Sequence, residues 1–145
     1  MGGSASTQYI NTSDPRYDEY KSRLTHQQWG VAFKGETERP FTGKYYNNHA
    51  EGVYKSIASG ALLFSSKDKF ESGTGWPSFG KGIEGGSLKT KTDRSHFMSR
   101  TEVLCEEDNA HLGHVFNDGP TGKRYCINSA SLQFVPKSDL SEEER

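Results

Sequence analysis

Cysteine is almost missing from this chain: 2 residues in 145. That excludes a disulfide-stapled secreted scaffold and points to an intracellular protein, cytoplasmic or organellar rather than secreted. No C-x-x-C pair occurs, so the usual donor set of a structural zinc site is absent and no metal is expected. No run approaches the roughly 18 apolar residues of a membrane span, and the N-terminus lacks the apolar core of a secretory signal. A charge of one sign is lacking too. Lys and Arg number 18 against 19 Asp and Glu, a formal net charge of −1, with the basic residues scattered among the acids. Neither nucleic acid nor an anionic membrane is implied as a partner. Apolar residues are scarce at 31%, but aromatics reach 12% and there are 16 glycines, the composition of a compact, loop-rich domain whose core leans on rings.

At this length a single domain is expected. Residues 1–13 are small and polar and read as a disordered N-terminal segment, 14–136 as the single folded domain, and 137–145 as a polar tail or one helical turn. Asp14 before Pro15 is a helix start that should run to about Leu24. Thr25-His26-Gln27-Gln28 is a capping box opening a second short helix through Phe33. From Gly35 to Asn48 the chain reads as a polar loop. Gly52–Ile57 and Ala61–Ser65 read as a hairpin, and Leu88–Asp93 and Arg100–Cys105 as two further strands. Between them, E-S-G-T-G-W-P-S-F at 71–79 carries too many glycines and prolines for regular structure, and holds Trp76 on a stiff, extended backbone. Glu106-Glu107-Asp108 reads as a solvated acidic corner. The fold class is therefore mainly β (α+β) with two short N-terminal helices.

The informative stretch is H-L-G-H-V-F-N-D-G-P-T-G-K-R-Y-C-I-N-S-A-S-L at 111–132. Two apolar arms flank a cluster of turn formers, a hairpin signal. Alternation puts Arg124, Cys126 and Asn128 on one face of the second arm. Arms folded about Gly119 and Pro120 bring His114 opposite Cys126. A Cys in a strand is most often a small buried hydrophobe, yet Arg, Asn and His are poor company for a core strand. Positive charge from Arg124 or a protonated His114 would lower the thiol pKa and favour the nucleophilic thiolate. His111 and His114 are spaced H-x-x-H, which on a regular strand sends the rings to opposite faces and argues against a metal pair.

Three chemistries fit these residues. One is a Cys–His hydrolase with Asn128 orienting the imidazole, against which no oxyanion turn adjoins Cys126. Another is a binding module with Trp76 and the Tyr45-Tyr46 pair forming an aromatic cleft. The third is single-thiol redox chemistry through a sulfenic acid.

Five blocks favour the third. S-G-T-G-W-P-S-F at 72–79, D-R-S-H at 93–96, R-T-E-V-L-C at 100–105, H-L-G-H-V-F-N-D-G-P at 111–120 and R-Y-C-I-N-S-A-S-L at 124–132 closely resemble the methionine-R-sulfoxide reductases. The likeness extends upstream through E-R-P-F-T-G-K-Y at 38–45 and G-V-Y at 52–54, covering roughly residues 20–136 in order. The resemblance implies two antiparallel β-sheets with N-terminal helices, and reduction of the R epimer of methionine sulfoxide, free or in proteins. It also implies a thioredoxin-like thiol reductant and no cofactor; the protein is expected to act as a monomer. By the same resemblance Cys126 is the nucleophile, His114, His111 and Asn128 are the polar residues around it, and Trp76 receives the substrate methyl group. The chain departs from the family twice. Where many members hold zinc by two C-x-x-C pairs stand Ser56, Ser59, Cys105 and Asp108. Where many carry a resolving Cys stands Thr74. Cys105 is then the one other thiol available to resolve a sulfenic acid, but its zinc-site position argues against it and favours direct attack by an external thiol.

Overall fold

The computed structural model describes residues 14–142; the expected disorder of residues 1–13 lies outside the described residues. Both helices form where their caps predict. Helix α1 spans Pro15–Arg23, with the Asp14 side chain accepting from the Arg16 N–H. Helix α2 spans His26–Lys34 behind a complete Thr25/Gln28 capping box and ends on Gly35 in the left-handed conformation. Each buries one apolar face, Tyr17 and Tyr20 from α1 and Val31, Ala32 and Phe33 from α2. Tyr20 stacks on Phe33 and Tyr17 meets it edge-on.

Nine strands follow: β1 (Gly52–Ser56), β2 (Leu62–Ser65), β3 (Lys69–Phe70), β4 (Ser78–Phe79), β5 (Leu88–Asp93), β6 (Arg100–Cys105), β7 (His111–Gly119), β8 (Gly122–Ile127) and β9 (Leu132–Pro136). They make two antiparallel sheets, β2-β1-β9 and β3-β4-β8-β7-β6-β5. The expected architecture of two antiparallel sheets with short N-terminal helices is the one observed. The core lies between the sheets and is built from rings: Tyr54 and Phe64 of the small sheet pack on Phe79 of the large one, with centroids 5.1 and 4.4 Å apart. Aromatic pairs contribute beyond the area they bury, which compensates for the low apolar content.

Alternation divides the large sheet. Tyr125, Ile127, Val103 and Cys105 share the core face with Phe79; Tyr125 is half-buried and the other three are fully buried. Cys126, Arg124, His114 and Glu102 occupy the other face. Two expectations need correction here. The 71–79 stretch ends in regular structure, because Ser78 and Phe79 pair with Cys126 and Tyr125. The acidic corner is only partly solvated: Glu106 and Glu107 are exposed, but Asp108 is 0% exposed.

Asp108 is buried because it is a hub. Its carboxylate accepts from the Ser56 hydroxyl at 2.5 Å, the Ser59 N–H at 3.1 Å and the Ala110 N–H at 2.8 Å. Its carbonyl accepts from the Tyr17 hydroxyl at 2.7 Å. The β1–β2 turn, the β6–β7 turn and α1 are thus tied at one residue. With Cys105 beside it, the hub gathers the four positions where the resemblance places zinc ligands. A metal does not fit this donor set, since the Asp108 oxygens are already committed to three donors. Among the described residues no group of three or more His, Cys, Asp or Glu side chains could hold a metal ion.

Asp108→Ala should therefore cost about 3 kcal/mol or more of folding free energy, because it strands buried donors. Chemical denaturation measures this, and elemental analysis of the wild type should find no stoichiometric zinc. A fully stable Asp108→Ala protein, or zinc at one per chain, would contradict the hub as the fastening.

Candidate functional site

Antiparallel pairing of β7 with β8 sets His114 opposite Cys126, Gly113 opposite Ile127 and Phe116 opposite Arg124. This is the register expected from the turn residues. On its other side Cys126 pairs with Ser78. Cys126 opens into a cleft of about 240 Å³ lined also by Thr74, Trp76, Arg100, His114, Phe116 and Arg124. A larger cleft of about 370 Å³ by the small sheet is walled by Glu51, Ser65, Lys67, Lys81, Glu84 and Lys137, among others. It contains no Cys, His or Trp, so chemistry and not volume locates the site.

The two histidines do not point apart. A register shift in the β6–β7 ladder pairs Val103 with Gly113 but Leu104 with His111. Leu112 is the extra residue of a bulge, which returns His111 to the face of His114. The rings meet edge-on with centroids 5.6 Å apart. Gly113 is required beside the bulge, because a Cβ there would run into the Cys126 carbonyl.

Each imidazole is held by a carboxylate. His111 Nδ1 lies 2.7 Å from Glu102 Oε2, both side chains buried, behind the cleft wall. His114 Nε2 lies 2.8 Å from Asp93 Oδ2. Burial raises the Asp93 pKa, but hydrogen bonds from His114 and from the Ser95 N–H outweigh it and hold the carboxyl well below the usual range. Burial in turn lowers the His114 pKa, and Asp93 offsets this only in part. The pair at neutral pH is thus a carboxylate and a neutral imidazole. The carboxylate can only accept, which assigns the ring proton to Nε2 and leaves Nδ1 free to take one. Arg100, 3.5 Å from the same Asp93 oxygen, completes the group.

A loop roofs the site, and Glu38 fastens it. The Glu38 carboxylate accepts from the Ser129 and Ala130 N–H groups, both at 2.9 Å. Its backbone N–H donates to Asn128 Oδ1 at 3.0 Å, and its carbonyl accepts the Trp76 indole N–H at 3.1 Å. Phe41 N–H bonds the Gly75 carbonyl, at a glycine with φ of 93° where a Cβ would strike Pro40 and Phe41. Trp76 is thereby fixed as a wall, its polar edge occupied and its face left for an apolar group. Asn128 lines the cleft, but its amide also donates to the Leu112 carbonyl at 3.1 Å; Glu102 and Asp93, not Asn128, hold the imidazoles. The Tyr45-Tyr46 pair does not form an aromatic cleft with Trp76. Tyr45 packs on Tyr54 and Phe134, and Tyr46 on Phe41.

Positive charge does not win at the thiol. Burial pushes the Cys126 pKa up, and Arg124 and Thr74 offset it only in part. Arg124 itself is clamped by Asp118 at 2.8 and 3.2 Å and lies 4.6 Å over the Phe116 ring. The resting site therefore holds a thiol beside a neutral base, not a preformed thiolate. Cys105 differs more: fully buried on the core face, with its pKa pushed up to about 12 by burial and by Asp108. Sequence reasoning missed Glu38, Asp93, Glu102 and Arg100, although their blocks were recognised; a carboxylate at a strand end or in a loop carries no periodic signal.

Comparisons with known proteins show the family. The SelR domain matches residues 24–136. A peptide methionine sulfoxide reductase MsrB of Thiobacillus denitrificans is 50% identical over 131 residues, covering 88% of this chain and 99% of that protein. One from a Synechococcus strain is 50% identical over 123 residues, covering 83% and 90%. A peptide methionine sulfoxide reductase MsrA/MsrB of Vibrio cholerae is 47% identical over 135 residues, covering 92% of this chain but 35% of that protein.

In the native protein iodoacetamide should modify Cys126 with a pH midpoint above the ~8.5 of a free thiol, and leave Cys105 untouched until denaturant is added. Peptide-resolved mass analysis across pH checks both. Equal labelling of the two cysteines, or a Cys126 midpoint below that of a free thiol, would contradict the description.

Proposed function

The chain belongs to the SelR family, the peptide methionine sulfoxide reductases of MsrB type, and from that premise we propose how its own residues reduce the R epimer of methionine sulfoxide. The observation that carries the proposal is the pairing of His114 with Cys126 across the hairpin, with Asp93 behind the imidazole.

A sulfoxide has an electrophilic sulfur and a basic oxygen, so its reduction needs a nucleophile at one and an acid at the other. Neutral His114 takes the Cys126 proton as the thiol attacks the sulfoxide sulfur. Asp93 stabilises the imidazolium that forms, which then delivers the same proton to the oxygen. The attack joins the two sulfurs; the protonated oxygen then passes to the Cys126 sulfur as the substrate S–O bond and the new S–S bond break, the thioether leaves, and Cys126 is left as the sulfenic acid. One thiol and one sulfoxide give one sulfenic acid and one methionine, so atoms and electrons balance. His111 backs the His114 ring, and Trp76 takes the methyl group against its face. With methyl and oxygen assigned to different walls, only one configuration at sulfur presents its rear to Cys126.

Recycling needs a second thiol. Cys105 lies two strands away from Cys126 and on the opposite face of the sheet, whereas a disulfide needs Cα atoms within about 7 Å on converging vectors. An external thiol, such as a thioredoxin-like dithiol, therefore attacks the sulfenic sulfur with loss of water, and its second thiol releases Cys126. Among the described residues no helix is long and apolar enough to cross a membrane.

Cys126→Ser should fold normally and lose all sulfoxide reduction, while the wild type consumes one epimer only, as chiral separation of the residual substrate will register. Turnover by the folded serine variant, or equal loss of both epimers, would end the proposal. Cys105→Ser should retain thioredoxin-coupled turnover within about twofold, since a buried thiol on the far face takes no part in exchange; its loss would make Cys105 the resolving residue. Asp93→Asn should lower kcat by at least about tenfold, because an amide neither fixes the tautomer nor supports an imidazolium. Wild-type kcat in that variant would remove Asp93 from the mechanism.

A further inference from the structure

Thr74 stands at the position where the resemblance places a resolving thiol, and it is not idle. Its side chain lines the cleft beside Cys126, and Thr74 is among the groups that hold the thiol pKa down against burial. Behind it runs a file of hydroxyls. Thr74 Oγ1 is 2.8 Å from Ser72 Oγ, and Ser72 Oγ is 2.7 Å from Ser78 Oγ. Ser78, 0% exposed, lies 3.2 Å from the Trp76 carbonyl and is the strand partner of Cys126 itself. The file therefore starts in the cleft that Cys126 lines, passes through the loop and ends on the strand partner of Cys126.

Each hydroxyl has one proton to donate, and that count makes the file two-way. With Cys126 a thiol, donation can run from Thr74 to Ser72, from Ser72 to Ser78, and from Ser78 to the Trp76 carbonyl. With Cys126 a thiolate it can reverse, Ser78 to Ser72 and Ser72 to Thr74, which leaves the Thr74 proton for a partner in the cleft. Both arrangements satisfy all three hydroxyls, the thiolate form giving up the longest contact. The inner end is closed by a buried carbonyl, so no proton leaves by this route; only the direction of donation changes. A rigid donor such as Arg124 favours the thiolate always, whereas this file serves whichever form is present.

We propose that Thr74 is a catalytic residue of the sulfoxide reduction, donating to the Cys126 thiolate as it forms, and that Ser72 and Ser78 are positioning residues that turn its hydroxyl. The assignment deepens the function proposed above and rests on it. It gives this chain a use for the place a resolving thiol would occupy: a donor that helps open the reaction.

The test is the pH profile of Cys126 alkylation by iodoacetamide in the full chain, for wild type, Thr74→Val, Thr74→Ser and Ser72→Ala, alongside kcat. Thr74→Val keeps the shape and removes the donor. It should raise the midpoint by about one unit, a tenfold loss of thiolate at a given pH, and lower kcat by a similar factor. Thr74→Ser should restore both, and Ser72→Ala should shift the midpoint the same way by less. An unshifted Thr74→Val midpoint, or a Thr74→Ser midpoint displaced as far as that of Val, overturns the proposal. If Thr74→Val does not fold, an unshifted Ser72→Ala midpoint overturns it instead. Alkylation uses no sulfoxide, so a wild type unable to reduce sulfoxide would reject the function while the midpoints still report on the hydroxyl file.

Discussion

One extra residue in one strand determines what this protein can do. The bulge at Leu112 turns His111 onto the face that already carries His114, Glu102 and Cys126. Without it, one imidazole would lie in the aromatic core, its polar nitrogens short of partners. A bulge also sharpens local twist, and Gly113 next to it is the position where β7 approaches the Cys126 carbonyl too closely for any side chain. The rest of the site is arranged around that backbone fact.

From it follows a division of labour between the faces of the large sheet. The inner face is rings and branched chains, with Cys105 among them as a small hydrophobe. The outer face carries paired side chains: His114 with Asp93, His111 with Glu102, Arg124 with Asp118. Water would weaken the attraction within these pairs. The Glu38 loop and the Trp76 loop close over this face, joined to each other by the indole and to β8 by Asn128. Burial then sets the electrostatics. It holds both His114 and Cys126 near their neutral forms, so reactivity depends on a proton moving between neighbours and not on a standing thiolate.

Much of this was legible beforehand. Caps placed both helices, turn residues placed the hairpins, and the arms about Gly119 and Pro120 gave the His114–Cys126 register. The family resemblance named the site residues, and the SelR match supports it. What escaped was whatever depends on distant segments meeting. Alternation assumed a regular strand, so it sent His111 to the wrong face; a bulge is a tertiary accommodation that H-L-G-H alone does not announce. Asp108 read as a solvated corner because two of its three donors, Ser56 and Ser59, lie in another turn about 50 residues away. Thiol activation was overestimated because neighbouring charge is visible in a sequence and desolvation is not.

The central claim is that Cys126 alone takes the oxygen and that no second thiol of the chain follows. Mixing the reduced protein with one equivalent of methionine-R-sulfoxide, without reductant, and following intact and peptide masses in time tests it directly. The account predicts one methionine released per chain and a protein heavier by one oxygen, localised to the Cys126 peptide and persisting until external thiol is added. A protein that instead loses two hydrogens, with Cys126 joined to Cys105, would contradict it, as would release of methionine with no change at Cys126.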